Sequence, residues 1–123
     1  MPDEIQILGD GDVLSRHCLG EILRLESGET ITLDNEGRLA LFDSNENRLS
    51  VKSKSSPPDG IMPEVNTTTF TGGIKMSTSA NRSIIHFPNG TDVHIDSGRF
   101  ASIRRDGRNY SATTEPDTFQ GFK

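Results

Sequence analysis

The sequence predicts an all-β protein built from antiparallel meanders, and three observations predict it. Short runs rich in Ile, Val, Leu, Thr and Phe alternate apolar with polar residues and are cut by Gly, Asn, Asp and Ser. Turn signals recur about every eight to ten residues, the spacing of a meander, sandwich, barrel or prism. The chain also repeats itself, and a repeat of this length marks a supersecondary unit that does not bury its apolar face alone. No window offers an unbroken amphipathic helix, since the best one, 16–25, is interrupted by Gly20.

The repeat relates 22–50 to 84–111 with one residue deleted. Ile22 falls on Ile84, Gly28 on Gly90, Asp34 on Asp96, Gly37 on Gly98, Arg38 on Arg99, Ala40 on Ala101 and Ser50 on Ser111. Between these identities apolar falls on apolar: Leu25 on Phe87, Ile31 on Val93, Leu33 on Ile95, Leu39 on Phe100 and Leu49 on Tyr110. The expected fold is two such units arranged as a sandwich, a prism or an extended sheet.

At the N-terminus, Asp10 and Asp12 among glycines read as a polar turn, because the spacing and closing Glu of a calcium loop are missing. The first unit then reads as strands over 21–25, 30–33, 38–42 and 48–52. The connection 52–65 carries Pro57, Pro58 and Pro63, which cannot donate to a ladder, so it reads as a long link. Residues 67–76 suggest one or two strands around Gly72-Gly73. The second unit reads as strands over 83–87, 92–95, 99–103 and 109–112. The polar segment 113–123 reads as either a loose tail or an arm that docks on a neighbour; Phe119 and Phe122 favour the arm, because two exposed Phe are costly on a free tail.

Turn chemistry fixes the register of one hairpin. In Pro88-Asn89-Gly90, Pro presets the first turn position and Gly accepts the left-handed third. A three-residue loop with a glycine bulge sets Phe87 opposite Thr91, His86 opposite Asp92 and Ile85 opposite Val93. Ile85, Phe87, Val93 and Ile95 then share one face, whereas a two-residue loop mixes the faces. Glu26-Ser27-Gly28 has the same logic.

Composition limits the function. With 123 residues the chain suits one domain, 1–123. A formal net charge of -5 argues against nucleic acid or an anionic membrane as the main partner. Hydrophobic residues are 31%, aromatics 6%, and Trp is absent; this thin core favours burial against copies of the chain or another protein. Cys18 is the single cysteine, so no internal disulfide forms. The acidic start has no leader-like apolar run and no stretch reaches membrane-spanning length, so the expected location is cytoplasmic or on a particle.

The register above places His86, Asp92 and His94 on one face, a ligand set that suits a divalent transition metal. The competing reading is the wet face of a hairpin, and no cofactor is expected. Cys18 beside His17 reads as an incidental thiol. Arg99, Arg104, Arg105 and Arg108 form a basic group on an acidic chain, which reads as a patch for a sulfated or phosphorylated ligand or for an acidic partner, including the acidic N-terminus of another copy, or as charge that protects an edge strand.

The segment 33–52, LDNEGRLALFDSNENRLSVK, resembles the repeat of bulb-type mannose-binding lectins, with Leu39-Ala40-Leu41-Phe42-Asp43 over their central strand. The resemblance implies a β-prism of three small sheets. Where those lectins carry their sugar-contacting Gln, Asp, Asn and Tyr, this chain has Asp34, Glu36, Arg38 and Phe42, so no sugar ligand is carried over. The function expected from these features is a non-enzymatic structural or interaction subunit of a larger assembly, with a phage virion or tail as a fitting setting. A carbohydrate-binding module is the alternative, and a metal-dependent enzyme at His86, Asp92 and His94 the second.

Overall fold

The computed structural model describes residues 4–9, 11–56, 60 and 65–112. Those residues form strands and turns with no helix, and within each sheet every strand pairs antiparallel with its neighbour in sequence. The first sheet runs β1 (Glu4–Leu8), β2 (Asp12–His17), β3 (Gly20–Arg24), β4 (Thr30–Asp34) and β5 (Leu39–Phe42). The second runs β6 (Val51–Ser55), β7 (Asn66–Phe70), β8 (Lys75–Ser79), β9 (Arg82–His86), β10 (Asp92–Asp96), β11 (Arg99–Arg105) and β12 (Arg108–Ser111). The hydrogen-bonded order in each sheet is the chain order, so both are simple meanders.

The predicted hairpin register is the observed one. His86 lies opposite Asp92 and Ile85 opposite Val93. Phe87 N–H donates to the Thr91 carbonyl at 2.9 Å and Gly90 N–H to the Phe87 carbonyl at 3.0 Å, with Gly90 at φ 92°. The loop after Leu25 is built alike: both bonds are 2.8 Å and Gly28 sits at φ 107°. Only the third loop residue must be left-handed, and glycine takes that conformation without a Cβ clash.

The duplication reaches further than the sequence match. Strands β3 and β9 begin at Gly20 and Arg82, a shift of 62 positions (82 − 20), and β1 with β7 (Glu4, Asn66) and β4 with β10 (Thr30, Asp92) keep that shift. The repeat therefore includes β1 and β2, which lie ahead of the expected first strand at 21–25. The one-residue deletion lies in a turn: Asp34 and Arg38 close a three-residue loop, while Asp96 pairs directly with Arg99 around Ser97-Gly98. A bulge then restores the frame, with His94 opposite Ser102 and Ile95 opposite Phe100, leaving Ala101 as the extra residue. Ala40 thus corresponds to Ser102, both sitting opposite the equivalent β4 and β10 positions, and the Ala40–Ala101 match is not a structural equivalence.

The expected strand over 48–52 needs a second correction. The first unit keeps only a bridge between Phe42 and Arg48 and a 2.8 Å bond from Leu49 N–H to the Leu41 carbonyl. The chain then leaves for the other sheet: the Ser50 carbonyl accepts Thr71 N–H at 3.0 Å, and β6 starts at Val51.

The inner faces of the two sheets close over one core. Leu14, Leu23, Ile31 and Leu41 from the first sheet and Ile85, Val93, Phe100 and Ile103 from the second are each at most 1% exposed. Burying each such side chain contributes about 1.5–3 kcal/mol. Of the three arrangements expected, the sandwich is the one adopted; the three-sheet prism implied by the lectin resemblance is not. Strand β6 is exposed along its whole length, beyond the shelter of the shorter sheet.

Two polar latches cross the core. Arg105 grips Asp12 on β2 with two 3.0 Å hydrogen bonds and also donates to Thr91 Oγ1 at 3.0 Å. Glu21 on β3 accepts the Phe100 backbone N–H at 2.9 Å and pairs with Arg16 at 3.1 Å and Arg99 at 3.5 Å. At the duplicated position of Arg16 and Glu21 stands a hydroxyl pair, Thr78 and Ser83, 3.3 Å apart.

Candidate functional site

Because the two sheets are duplicates, their outer faces can be compared residue by residue. In the second sheet one outward row across the strands is Thr67, Ser77, Ile84, His94 and Ser102, and the next is Thr69, Lys75, His86, Asp92 and Arg104. The first sheet places Ile5, Ser15, Ile22, Thr32 and Ala40 in the first row and Ile7, Val13, Arg24, Thr30 and Phe42 in the second. On one backbone plan, five positions that are Thr, Thr, Lys, Ser and Arg in one unit are Ile5, Ile7, Val13, Ala40 and Phe42 in the other. Scattered apolar residues are ordinary on a surface, but a contiguous apolar face marks a contact.

The face is open to solvent. Ile5 is 66% exposed and Ile7 72%, and Ile22 at its centre is 38% exposed. A groove of about 770 Å³ runs beside Ile22, with Leu19, Thr32, Ala40 and Arg48 among its lining. Leu19, 78% exposed in the turn between β2 and β3, raises one wall. Asp34 and Arg38 stand at the same end, in the adjacent turn between β4 and β5.

The charges of the face divide into spent and free. Asp34 accepts the backbone N–H groups of Arg38 and Glu36 at 2.9 Å each and the Arg38 guanidinium at 3.0 Å. The Arg38 N–H first, then that of Glu36 and the guanidinium charge, hold its pKa below the usual carboxylate value against the opposing cost of desolvation. Arg38 is thus committed to its own turn, where it also meets Glu36. Arg24 and Arg48, at either end of the row Arg24–Thr30–Phe42–Arg48, have no ion pair among the described residues.

The predicted site residues fall elsewhere. His86, Asp92 and His94 do share the outward face of β9 and β10, and His86 Nδ1 lies 2.8 Å from Asp92 Oδ1. His94 sits opposite Ile84, one step along the ladder, and among the described residues no three His, Cys, Asp or Glu side chains converge as a metal ligand set. The basic group is not one patch: Arg105 turns inward to Asp12 of its own chain and Arg99 reaches Glu21, while Arg104 and Arg108 face solvent. The acidic residue that Arg105 was expected to find on another copy is therefore supplied internally. Phe119 and Phe122 lie outside the described residues. Cys18 is exposed in the turn beside the groove, its carbonyl accepting the Asn35 side-chain amide.

Ile5, Ile7 and Val13 escaped the sequence reading because β1 and β2 did. The signal was present in Ile5-Gln6-Ile7-Leu8, a period-two run ending in glycine. No helix among the described residues is long and apolar enough to cross a membrane. Comparison with protein-family models, with curated proteins and with solved structures finds no match for this chain.

Proposed function

We propose that the chain is a non-enzymatic structural and interaction module, a subunit that assembles with copies of itself within a larger protein assembly. Its contact surface is the outer face of the five-stranded sheet. The observation that carries this reading is the divergence of the duplicated faces, Ile5, Ile7, Val13, Ala40 and Phe42 standing where the second sheet has Thr67, Thr69, Lys75, Ser102 and Arg104. Water-facing positions gain nothing from such a change unless something covers them. A particle such as a phage virion or tail, with many copies of a small β subunit, is a setting that suits it.

Of the five aromatic candidates for a carbohydrate platform, Phe70, Phe87 and Phe100 are core residues, which leaves that reading Phe42 and Tyr110. Against the metal-enzyme reading stands the placement of His94, which among the described residues forms no three-ligand group with His86 and Asp92. Light scattering on the purified chain tests the proposal: a mass above that of one 13.5 kDa chain at micromolar concentration is expected. Ile22→Lys, at an exposed site, reduces it to one chain without changing the circular dichroism spectrum. A wild-type protein that stays a single chain at every concentration overturns the self-assembly.

A further inference from the structure

The groove on the five-stranded sheet asks for an occupant that is apolar and acidic together. Its floor is Ile22 and Ala40, and Arg48 on its edge and Arg24 on the same face have no anionic partner among the described residues. The duplicated positions hold His86 and Asn109, so both arginines, like the apolar residues, distinguish this face from its counterpart. Cations beside a partly desolvated apolar floor select carboxylates on a partner more than they stabilise the free chain.

We propose that the occupant is the segment 113–123 of a second copy, TTEPDTFQGFK. The inference rests on the assembly reading above and names its contact. The segment pairs the two needed chemistries: Glu115 and Asp117 for Arg24 and Arg48, and Phe119 and Phe122 for the floor. Reach decides between its own groove and a neighbour's. Strand β12 ends at Ser111 in the other sheet, and its Tyr110 ring packs on Gly9 in the β1–β2 turn. A path from there around β1 to Arg48 crosses the sheet spacing and four strand spacings, roughly 30 Å. The carboxylates decide it: Glu115 and Asp117, three and five residues past Ala112, extend at most about 11 and 18 Å. They therefore fall short of Arg48 on their own chain, and the segment is placed to bring them to the groove of an adjoining molecule.

Charge reversal in the full-length chain tests this. One variant carries Arg24→Glu with Arg48→Glu, the other Glu115→Arg with Asp117→Arg. Two attractive pairs turned repulsive weaken assembly by roughly tenfold or more. Each variant alone is expected to scatter as one chain, and an equimolar mixture to recover the multimer, because each reversed groove meets a reversed segment. Circular dichroism and a cooperative melt show that each variant is folded. Retention of the wild-type mass by both Glu115→Arg/Asp117→Arg and Phe119→Ser/Phe122→Ser, with loss in Ile22→Lys, overturns the segment as occupant and assigns the face to direct packing of two copies. Failure of the mixture to recover also overturns it. A wild-type single chain removes this inference together with the assembly reading.

Discussion

Asp12 and Arg105, 93 positions apart, form a two-pronged ion pair between the sheets, with the aspartate side chain fully buried and the arginine side chain 15% exposed. Asp12 Oδ1 also accepts the Glu26 backbone N–H at 2.8 Å, so its lone pairs are used on both sides of the core. The arginine in turn is anchored by Thr91, itself 1% exposed. This pair ties β2 to the end of β11 at the place where the two duplicated units meet.

Removing one partner leaves the other charge buried and alone. Arg105→Met is expected to lower unfolding free energy by about 3–5 kcal/mol. Asp12→Ala is expected to do the same, and the double variant Asp12→Leu/Arg105→Met to recover part of the loss. Urea denaturation of the single and double variants measures the coupling, and additive losses would refute it.

Glu21 separates its hydrogen bond from its charge. Its Oε1 takes the Phe100 N–H and its Oε2 the Arg16 and Arg99 side chains. Glu21→Gln keeps an acceptor for Phe100, whereas Glu21→Leu strands that buried N–H at a cost of about 1–3 kcal/mol beyond the lost ion pair. The leucine variant is expected to unfold at clearly lower denaturant than the glutamine variant, and equal midpoints count against the assignment.

Acid should loosen the two aspartate turns of the first unit. Backbone N–H groups, led by those of Arg38 and Asn47, hold the pKa values of Asp34 and Asp43 below the ordinary one. A carboxylate whose folded pKa is depressed contributes stability above its unfolded pKa and loses it as pH falls through the folded value. Melting temperature is thus expected to drop below about pH 4, and less steeply in Asp34→Asn/Asp43→Asn, which keeps the turn acceptors without the charge. Identical pH profiles for the two proteins would contradict this.

Backbone positions make a graded set. Gly20 has φ 145°, and a Cβ there would meet the Leu33 carbonyl oxygen at 2.3 Å, so Gly20→Ala is expected to prevent folding. Gly90, at φ 92° with nothing near its missing Cβ, should lose only about 1–2 kcal/mol as alanine. Ala80 holds φ 52° in the β8–β9 turn, so Ala80→Gly is expected to stabilise by about 1 kcal/mol. Thermal melts order the four proteins with Ala80→Gly highest, and any other order would show that local strain is not the governing term.

The hairpins were legible in the residues because register there is local. A turn with glycine at its left-handed position and apolar side chains at every second place leave one pairing that puts Ile85, Phe87, Val93 and Ile95 on the buried side. Strand β2 was illegible for the converse reason. Its inward positions are Asp12, Leu14 and Arg16, so charges stand where the pattern demands apolar residues. Those charges are tolerated because Arg105 and Glu21 arrive from other strands, and nothing nearby in the chain announces them. The candidate face was hidden with it, since Ile5, Ile7 and Val13 gain meaning only once β1 and β2 are strands.

By itself the sequence determined the all-β class, the hairpin turns and the existence of a repeat, all of which follow from dihedral preference and period-two burial over a few residues. The tertiary structure decided the length of that repeat, its bulge at Ala101, the destination of each arginine and which outer face turned apolar. These depend on contacts between residues as distant as Asp12 and Arg105, where burial and charge pairing are set by the packing of one sheet on the other.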